Sequence, residues 1–525
     1  MKRQLEERCG TDVVFDDGKD VAIITRIDPA LHVDGFTIAS GDSNEIIIAG
    51  SNIRAVYFGL GKLLRTSTIS PGKFIPGKWR GTSIPDTPFR GVYLATHFFN
   101  FYHVAPINAI QDYIEDLALW GFNTIVVWYD MHHFNGIADP GAKPFIDRLR
   151  DILARVKGLG LQAGLTTIAN EGYANSPPSL RADQTFPGSK HVRGGYGVEL
   201  CPSKPGALEL IDTWFEEQFA AFEAVDPDVV MIWPYDQGGC GCPGCKPWGA
   251  NGFLRAAERV ANIARRHFPG ARIILSTWLF DSPLNEGEWA GLNAKFSSRP
   301  GWVDYILADS HDAFPAHPLE HGVPGGLPLL NFPEISMWGM SPWGGYGANP
   351  LPARFQAFWD RIKDRVSGGL LYSEGLYEDL NKAIWAQFYW SRARTAVDTL
   401  REYVAYEFPG CNVDDVVKAI HVLEQNHRGF TVKRWRKRPA GDAGSKLAAR
   451  AFVDASQVLP QHVTRSWRWR VLFHRAMLDV QRFRGHPYPN NIVWLALDEL
   501  VEIYHAGRAE PCVRPPTRRR ARTLK

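Results

Sequence analysis

Six carboxylates in the middle of this chain each stand at the end of an apolar, β-branched run: Asp130, Glu171, Asp236, Asp309, Glu334 and Glu374. Two carboxyl groups flanking one bond can cleave a glycoside, one protonated to release the leaving group and one ionised to attack or to activate water. Asp236 is the best candidate for the acid, because Trp233 and the Gly238-Gly239 turn flank it and an apolar wall favours the protonated carboxyl. Glu334 and Glu374 compete for the second role. Each carboxylate also has a plainer use, as a cap on the following helix or as a hydrogen-bond partner for a substrate hydroxyl. Glu171 and Asp309 fit that use better than proton transfer.

The same run ends carry Thr96 and His97, His132 and His133, Asn170, Gln237, and the tryptophans 128, 233, 278, 338 and 343. Sugar rings present apolar faces that stack on indole. One Trp at such a place is usually core, but five on one rim predict that two or three line a pocket. The expected carbohydrate contacts are therefore His97, Asp130, His132, Asn170, Glu171, Trp233, Gln237, Trp278, Asp309 and Trp338. Adjacent residues on an extended strand point to opposite faces, so His132-His133 read as sugar contacts or carboxylate partners, not as a catalytic metal site.

Cys240, Cys242 and Cys245 form C-x-C-x-x-C, and Cys201 on the preceding loop could add a fourth thiolate for a structural zinc ion. Packed free thiols are the competing reading and redox catalysis a weaker one. A closed four-cysteine site has no open position, so it would brace the loop carrying Asp236 and do no chemistry. No cofactor is expected for catalysis.

These groups need a frame. The runs are FRGVYLATH, NTIVVWYDMHH, QAGLTTIANE, DVVMIWPYDQ, RIILSTW, VDYILADSHD, LPLLNFPE and GGLLYSE, and each but the last is followed by a loop and a stretch that reads as helix. Strands buried on both faces read as continuous hydrophobic runs, and reactive groups collect at their C-terminal ends. The pattern predicts an α/β fold: a (β/α)₈ TIM barrel over 88–392.

A chain of 525 residues exceeds the ~250 to 300 of such a barrel and leaves room for two further units. Before the barrel, FTIAS and NEIIIAG flank Gly41-Asp42-Ser43 as a β-hairpin, and Ser51 or Asn52 caps a helix over IRAVYFGLGKLLR. This predicts a small α/β domain over 1–80. Prolines 71, 76 and 85 with Gly72, Gly77 and Gly81 mark its linker. After Glu374, NKAIWAQFYWSRARTAVDTLREYVAYEF should supply the eighth barrel helix. VDDVVKAIHVLEQNHR and a run from Ser445 to His505, broken near Gly485 and Pro487, should form a helical domain over 393–510. RPPTRRRAR, Arg514 to Arg522, makes 511–525 a basic disordered tail.

With 59 basic against 56 acidic residues the net charge is +3, so no global field draws a nucleic acid or an anionic membrane. No run approaches the ~18 apolar residues of a membrane span. Seven cysteines is an odd number, and four of them, Cys201, Cys240, Cys242 and Cys245, are expected to meet at one end of the barrel, which argues for a reduced, cytoplasmic setting. The oligomeric state is left open.

The order of hairpin, helix GSNIRAVYFGLGKLL, proline-rich linker and then Arg90-Gly91 at strand one resembles the family 20 glycoside hydrolases, the β-hexosaminidases, over roughly residues 35 to 130. Asn123 to Trp128 matches their second-strand ending only loosely. That family carries an Asp-Glu pair after strand four, where Asp orients the substrate acetamide and Glu is the general acid. Here the pair is Asp236-Gln237, and Gln cannot donate a catalytic proton, which puts the acetamide-assisted mechanism in question. DQGGCGCPGC resembles the carboxylate followed by C-x-C-x-x-C of bacterial barrel glycosidases related to the α-glucuronidases and family 20, and YSEGLYED, Tyr372 to Asp379, resembles the strand-eight motif of the same group.

The reading is a glycoside hydrolase, hexosaminidase-like or glucuronidase-like, acting on the terminal sugar of a small glycoside or oligosaccharide. Two alternatives stand beside it: a non-catalytic carbohydrate-binding barrel, for which Gln237 is the argument, and a carbohydrate lyase.

Overall fold

Alternating apolar residues in two short runs on either side of a polar turn can bury only one face, so they pair and seek a helix to cover that face. The computed structural model describes residues 1–10, 22–42, 44–96, 100–183, 196–234, 239–281, 287–310, 313–335, 349–428 and 441–483. The first unit contains α1 (Lys2–Cys9), β1 (Ala22–Ile27), β2 (Phe36–Ser40), β3 (Glu45–Gly50) and α2 (Ile53–Arg65), followed by β4 (Thr68–Ser70), β5 (Lys73–Ile75) and β6 (Gly81–Ser83). Strands β2 and β3 form the expected antiparallel hairpin, and the Asn52 side chain caps α2 by accepting from the Ala55 N–H at 3.0 Å. The proline-rich stretch is more than a linker. Strands β4 and β5 pair across Pro71-Gly72, and β6 returns to the edge of the sheet in the order β1-β3-β2-β6.

The eight runs become β7 (Phe89–Leu94), β8 (Thr124–Trp128), β9 (Gln162–Ile168), β10 (Val229–Trp233), β11 (Arg272–Ser276), β12 (Tyr305–Ser310), β13 (Leu329–Pro333) and β14 (Gly368–Ser373). They pair in parallel and in sequence order, and β14 closes on β7 to complete a barrel. Closure requires a glycine at the seam: Gly368 has φ 122°, and a Cβ there would lie 1.7 Å from the Phe89 carbonyl oxygen. Because all pairings are parallel, every strand delivers its C-terminal residues to one mouth.

Helices α3 (Phe101–Val104) and α4 (Ile107–Trp120) follow β7. Then come α5 (Ala142–Gly158), α6 (Ala207–Ala220), α7 (Gly252–His267), α8 (Glu288–Lys295), α9 (Ala316–Glu320), α10 (Pro352–Ile362) and α11 (Asp379–Trp390), one after each further strand. Two cores result. A large one lies between strands and helices. A second fills the barrel with Phe89, Tyr93, Val126, Trp128, Met231, Trp233, Leu330, Phe332, Leu370 and Tyr372, among others. Side chains alternate along a strand, so continuing these rows by one step places Asp130, Glu334 and Glu374 above Trp128, Phe332 and Tyr372.

The helical run after Glu374 divides earlier than its periodicity predicts. It stops at Trp390, Ser391 is extended, and Thr395 starts α12 (Ala396–Glu407) by accepting from the Asp398 N–H. α13 (Val413–Arg428), α14 (Gly441–Val458), α15 (Gln461–Thr464) and α16 (Trp467–Phe483) complete the described bundle. The break in the last long run falls at Pro460, which has no N–H to continue α14. The expected break near Gly485 and Pro487 and the basic tail lie outside the described residues.

Buried ion pairs lock these units to the barrel and to one another. Arg468 on α16 donates to Asp379 at 2.8 Å and to Asp116 at 2.7 Å, and Arg8 on α1 pairs with Glu407 at 2.5 Å. At the other side Arg90, fully buried, donates to Asp34 of the small domain at 2.8 Å, and Arg54 adds a second contact at 2.5 Å. Burial works against the Asp34 charge, but Arg90 and Arg54 hold its carboxyl down to about 2. Arg90 at the first barrel strand is thus a domain clamp. Among the described residues no helix is long and apolar enough to cross a membrane.

Candidate active site

Strand β14 ends in a tethered carboxylate. Glu374 is 7% exposed; the Tyr372 hydroxyl donates to its Oε1 at 2.8 Å and the Tyr377 hydroxyl to its Oε2 at 3.2 Å. The backbone beneath is held in turn by Glu378, whose Oε1 accepts from the N–H groups of Glu374 at 2.5 Å and Gly375 at 3.0 Å. Burial pushes the Glu378 carboxyl up to about 8, against the opposing pull of Lys382, whose Nζ lies 3.9 Å away. Lys382 is itself buried, its pKa lowered by desolvation, and it donates to Gly375 O at 2.6 Å, Tyr113 OH at 2.9 Å and Tyr102 OH at 3.0 Å. The neighbouring strand ends in Glu334, 1% exposed, which bridges in parallel to Tyr372. Strand β12 brings Asp309, 9% exposed, to the same mouth.

Beyond β7 along the rim, the ends of β8 and β9 carry Asp130 and Glu171. Glu171 accepts from Met131 N at 2.8 Å, Thr167 Oγ1 at 3.0 Å, Ile168 N at 3.3 Å and Trp128 Nε1 at 3.3 Å. Burial nevertheless raises its carboxyl to about 7. Asp130 is fully buried, and neither of its oxygens accepts a hydrogen bond from another described residue. Burial, and then the Glu171 charge, raise its pKa well above the carboxylate range. His133 Nε2 stands 3.3 Å from Asp130 Oδ2 without hydrogen-bond alignment. The His132 ring stacks on Tyr196 at 3.2 Å with 10° between planes, and its two nitrogens have no hydrogen-bond partner among the described residues. Burial lowers the His132 pKa to about 3, so it is neutral.

One expectation fails here for a geometric reason. Met131–His133 is a turn of 3₁₀-helix, not extended strand, so the two imidazoles do not point apart; their rings are 3.9 Å from each other. Ligand atoms of Asp130, His132 and His133 all lie within 4.8 Å of one another, close enough to share a cation or several hydroxyls of one sugar.

The floor of the mouth is aromatic. Trp233 stacks on Trp278 with centroids 6.2 Å apart and 16° between planes, and it meets Tyr93, Trp128 and Phe332 at 5.2, 6.0 and 5.9 Å. Trp128 is fully buried and belongs to the core, whereas Trp278 is half-buried. Trp233 Nε1 has no hydrogen-bond partner among the described residues. Tyr93, Phe332, Tyr372, Tyr377 and Lys382 were not singled out from the sequence. The signal for Tyr93, Phe332 and Tyr372 was alternation inside a strand, and for Tyr377 its place in YSEGLYED.

Asn170, expected to contact a sugar, spends its amide inside the protein. Its Nδ2 donates to Leu200 O at 2.8 Å and Gly239 O at 3.2 Å, and its Oδ1 accepts from Gly239 N at 3.1 Å. Cys201, Cys240, Cys242 and Cys245 do converge, with ligand atoms within 4.8 Å of one another. His97, Asp236, Gln237, Trp338 and Trp343 lie outside the described residues.

No family model and no curated protein matches the chain. Solved structures do. A family 89 glycoside hydrolase from Clostridium perfringens, in complex with 2-acetamido-1,2-dideoxynojirmycin, aligns over 91% of this chain and 62% of its own, at 13% identity and TM-score 0.62. A family 115 4-O-methyl-α-glucuronidase with specificity for decorated arabinogalactans aligns over 96% of this chain and 73% of its own, at 10% identity and TM-score 0.59. A family 20 β-N-acetylhexosaminidase from Streptomyces coelicolor aligns over 77% and 87%, at 15% identity and TM-score 0.52. At these identities the likeness is one of fold, and the chain spans about three fifths of the family 89 proteins it matches, 58% and 62% of two of them.

Proposed function

We propose that this chain is a glycoside hydrolase that removes the terminal sugar of a small glycoside or oligosaccharide at the mouth of its barrel. Asp236 is assigned as the acid and Glu374 as its partner, with Glu334 as the alternative partner. The observation that carries the proposal is Glu374 itself, a buried carboxylate whose two oxygens are each held by a tyrosine hydroxyl beside an indole floor. A carboxylate that must meet a reacting carbon needs that kind of support. The shared fold with families 89, 20 and 115 agrees with this reading.

In barrel order β10 and β14, which Asp236 and Glu374 follow in sequence, are four strands apart and so face each other across the mouth. That supports a wide carboxyl gap, about 6.5 to 9.5 Å, with room for water and an inverting outcome. Asp130 and the His132 ring, buried and without hydrogen-bond partners among the described residues, are assigned to substrate hydroxyls, with Trp233 and Trp278 under the ring face.

A panel of chromogenic aryl glycosides that includes N-acetylhexosaminides and glucuronides tests the proposal. Chromophore release from at least one, with the anomeric configuration inverted in the first-formed sugar, is the expected result. Binding without release across the panel would favour the non-catalytic barrel that Gln237 suggests, and an unsaturated product would favour a lyase.

A further inference from the structure

Four cysteines from two separate loops meet beside the barrel mouth. Cys201 lies at the end of the loop that follows β9, and Cys240, Cys242 and Cys245 lie on the loop that follows β10. We propose that these four thiolates hold one zinc ion, which fastens the loop after β9 to the loop after β10. This inference is independent of which sugar, if any, the barrel cleaves.

Two sulfur–sulfur distances match the edge of a tetrahedral thiolate shell, and all four sulfurs lie within 4.8 Å of one another. Zinc bonds to sulfur at about 2.3 Å, so the edge of the tetrahedron is roughly 3.8 Å. Cys201 Sγ lies 3.6 Å from Cys242 Sγ and 3.8 Å from Cys245 Sγ. A disulfide would need about 2.05 Å, and all four cysteines are free thiols. Cys201, Cys240 and Cys245 are buried, and Cys242 is half-buried. Thiols packed only as small apolar groups have no reason to turn their sulfurs toward one centre.

The surroundings are built for negative sulfur. The Asp183 N–H donates to Cys240 Sγ at 3.4 Å, Arg255 Nη2 donates to Cys245 Sγ at 3.7 Å, and the Ser203 hydroxyl lies 3.0 Å from that same sulfur. Donors of this kind offset the surplus charge of four thiolates around a divalent ion and orient the ligands. Asn170 reinforces the same junction by clamping Leu200 and Gly239, the residues immediately before Cys201 and Cys240. On loading, the four S–H protons pass to solvent and four zinc–sulfur bonds form, with no change of oxidation state. The closed shell leaves no position for substrate, so the ion is a brace.

Full-length protein purified without chelators or a metal-affinity step should contain about one zinc per chain by elemental analysis. Exchange for cobalt should give thiolate-to-cobalt charge-transfer absorption and tetrahedral d–d bands. Alkylation mapped by mass spectrometry should find Cys201, Cys240, Cys242 and Cys245 protected until zinc is withdrawn. Cys242→Ser should lower zinc content and melting temperature; should that variant fail to fold, the cobalt spectrum and alkylation map of the unmodified chain still decide. Protein that stays metal-free after exposure to zinc, with these four thiols alkylated at the same rate and its melting temperature unmoved, would overturn the proposal. So would bound iron, with its charge-transfer colour, in place of zinc.

Discussion

Two stretches of the barrel rim, separated by β7, treat their carboxylates in opposite ways. At the end of β14, Glu374 is held by Tyr372 and Tyr377, and the turn beneath it by Glu378 and Lys382, so the charged group has one position. At the end of β8, Asp130 and the His132 ring are buried, with polar atoms that accept and donate nothing among the described residues. Buried polar groups are nearly always hydrogen-bonded, and each that is not costs stability. On the proposed function the contrast is a division of labour: the tethered carboxylate would do the chemistry, and the unsatisfied groups would be completed by what binds.

The largest effect that separates the two stretches is on turnover. Glu374→Gln keeps the shape and removes the charge, and should cost about 10²- to 10⁴-fold in kcat with the fold intact. Asp236→Asn should cost as much on substrates with poor leaving groups and far less on activated aryl glycosides, which hardly need a proton. Full activity in both Glu374→Gln and Glu334→Gln would remove the tethered stretch from the chemistry.

Next in size is the tether itself. Tyr377→Phe deletes one hydrogen bond to a charged oxygen, worth about 1.5 to 3 kcal/mol, and should lower kcat by roughly 10- to 100-fold with little change in KM. An equal effect on KM alone would mean that Glu374 binds and does not react. At the end of β8 Asp130→Asn should do the reverse, raising KM by about 10-fold while leaving the melting temperature equal or higher, because the buried carboxyl it replaces has no hydrogen bond among the described residues to lose.

The smallest expected effect is on stability. Glu171 and Glu378 titrate near 7 and 8 in the folded chain against 4.5 when unfolded, burial being the first cause of both shifts. The folded chain therefore keeps protons that the unfolded chain has already released. Their contribution is fully present below about pH 4.5 and is lost as pH rises toward 7 and 8, so the melting temperature should fall across that window by a few degrees. Glu171→Gln and Glu378→Gln should each flatten part of that slope, as read by calorimetry.

The barrel was legible because parallel strands buried on both faces leave uninterrupted apolar runs, and the mouth was legible because those runs stop at polar residues. What the sequence hid depends on contacts between distant segments. Asn170 sits at a strand end like a ligand, yet its partners are Leu200 and Gly239. Arg90 marks a family resemblance, yet its work is to grip Asp34. His132-His133 read as strand because the run before them is strand, and only the 3₁₀ turn brings the rings together. The division at Ser391 is written in the Thr395 and Asp398 capping pair, a signal weaker than the helical periodicity on either side of it.

The central claim is that water is added across a glycosidic bond at this mouth under the control of Glu374. Reaction of a cleaved glycoside in heavy-oxygen water, with mass analysis of both products, tests it most directly. The account predicts one heavy oxygen in the released terminal sugar, none in the leaving alcohol, and loss of the labelled product in Glu374→Gln. An unlabelled or unsaturated sugar, or labelling undiminished in that variant, would contradict it.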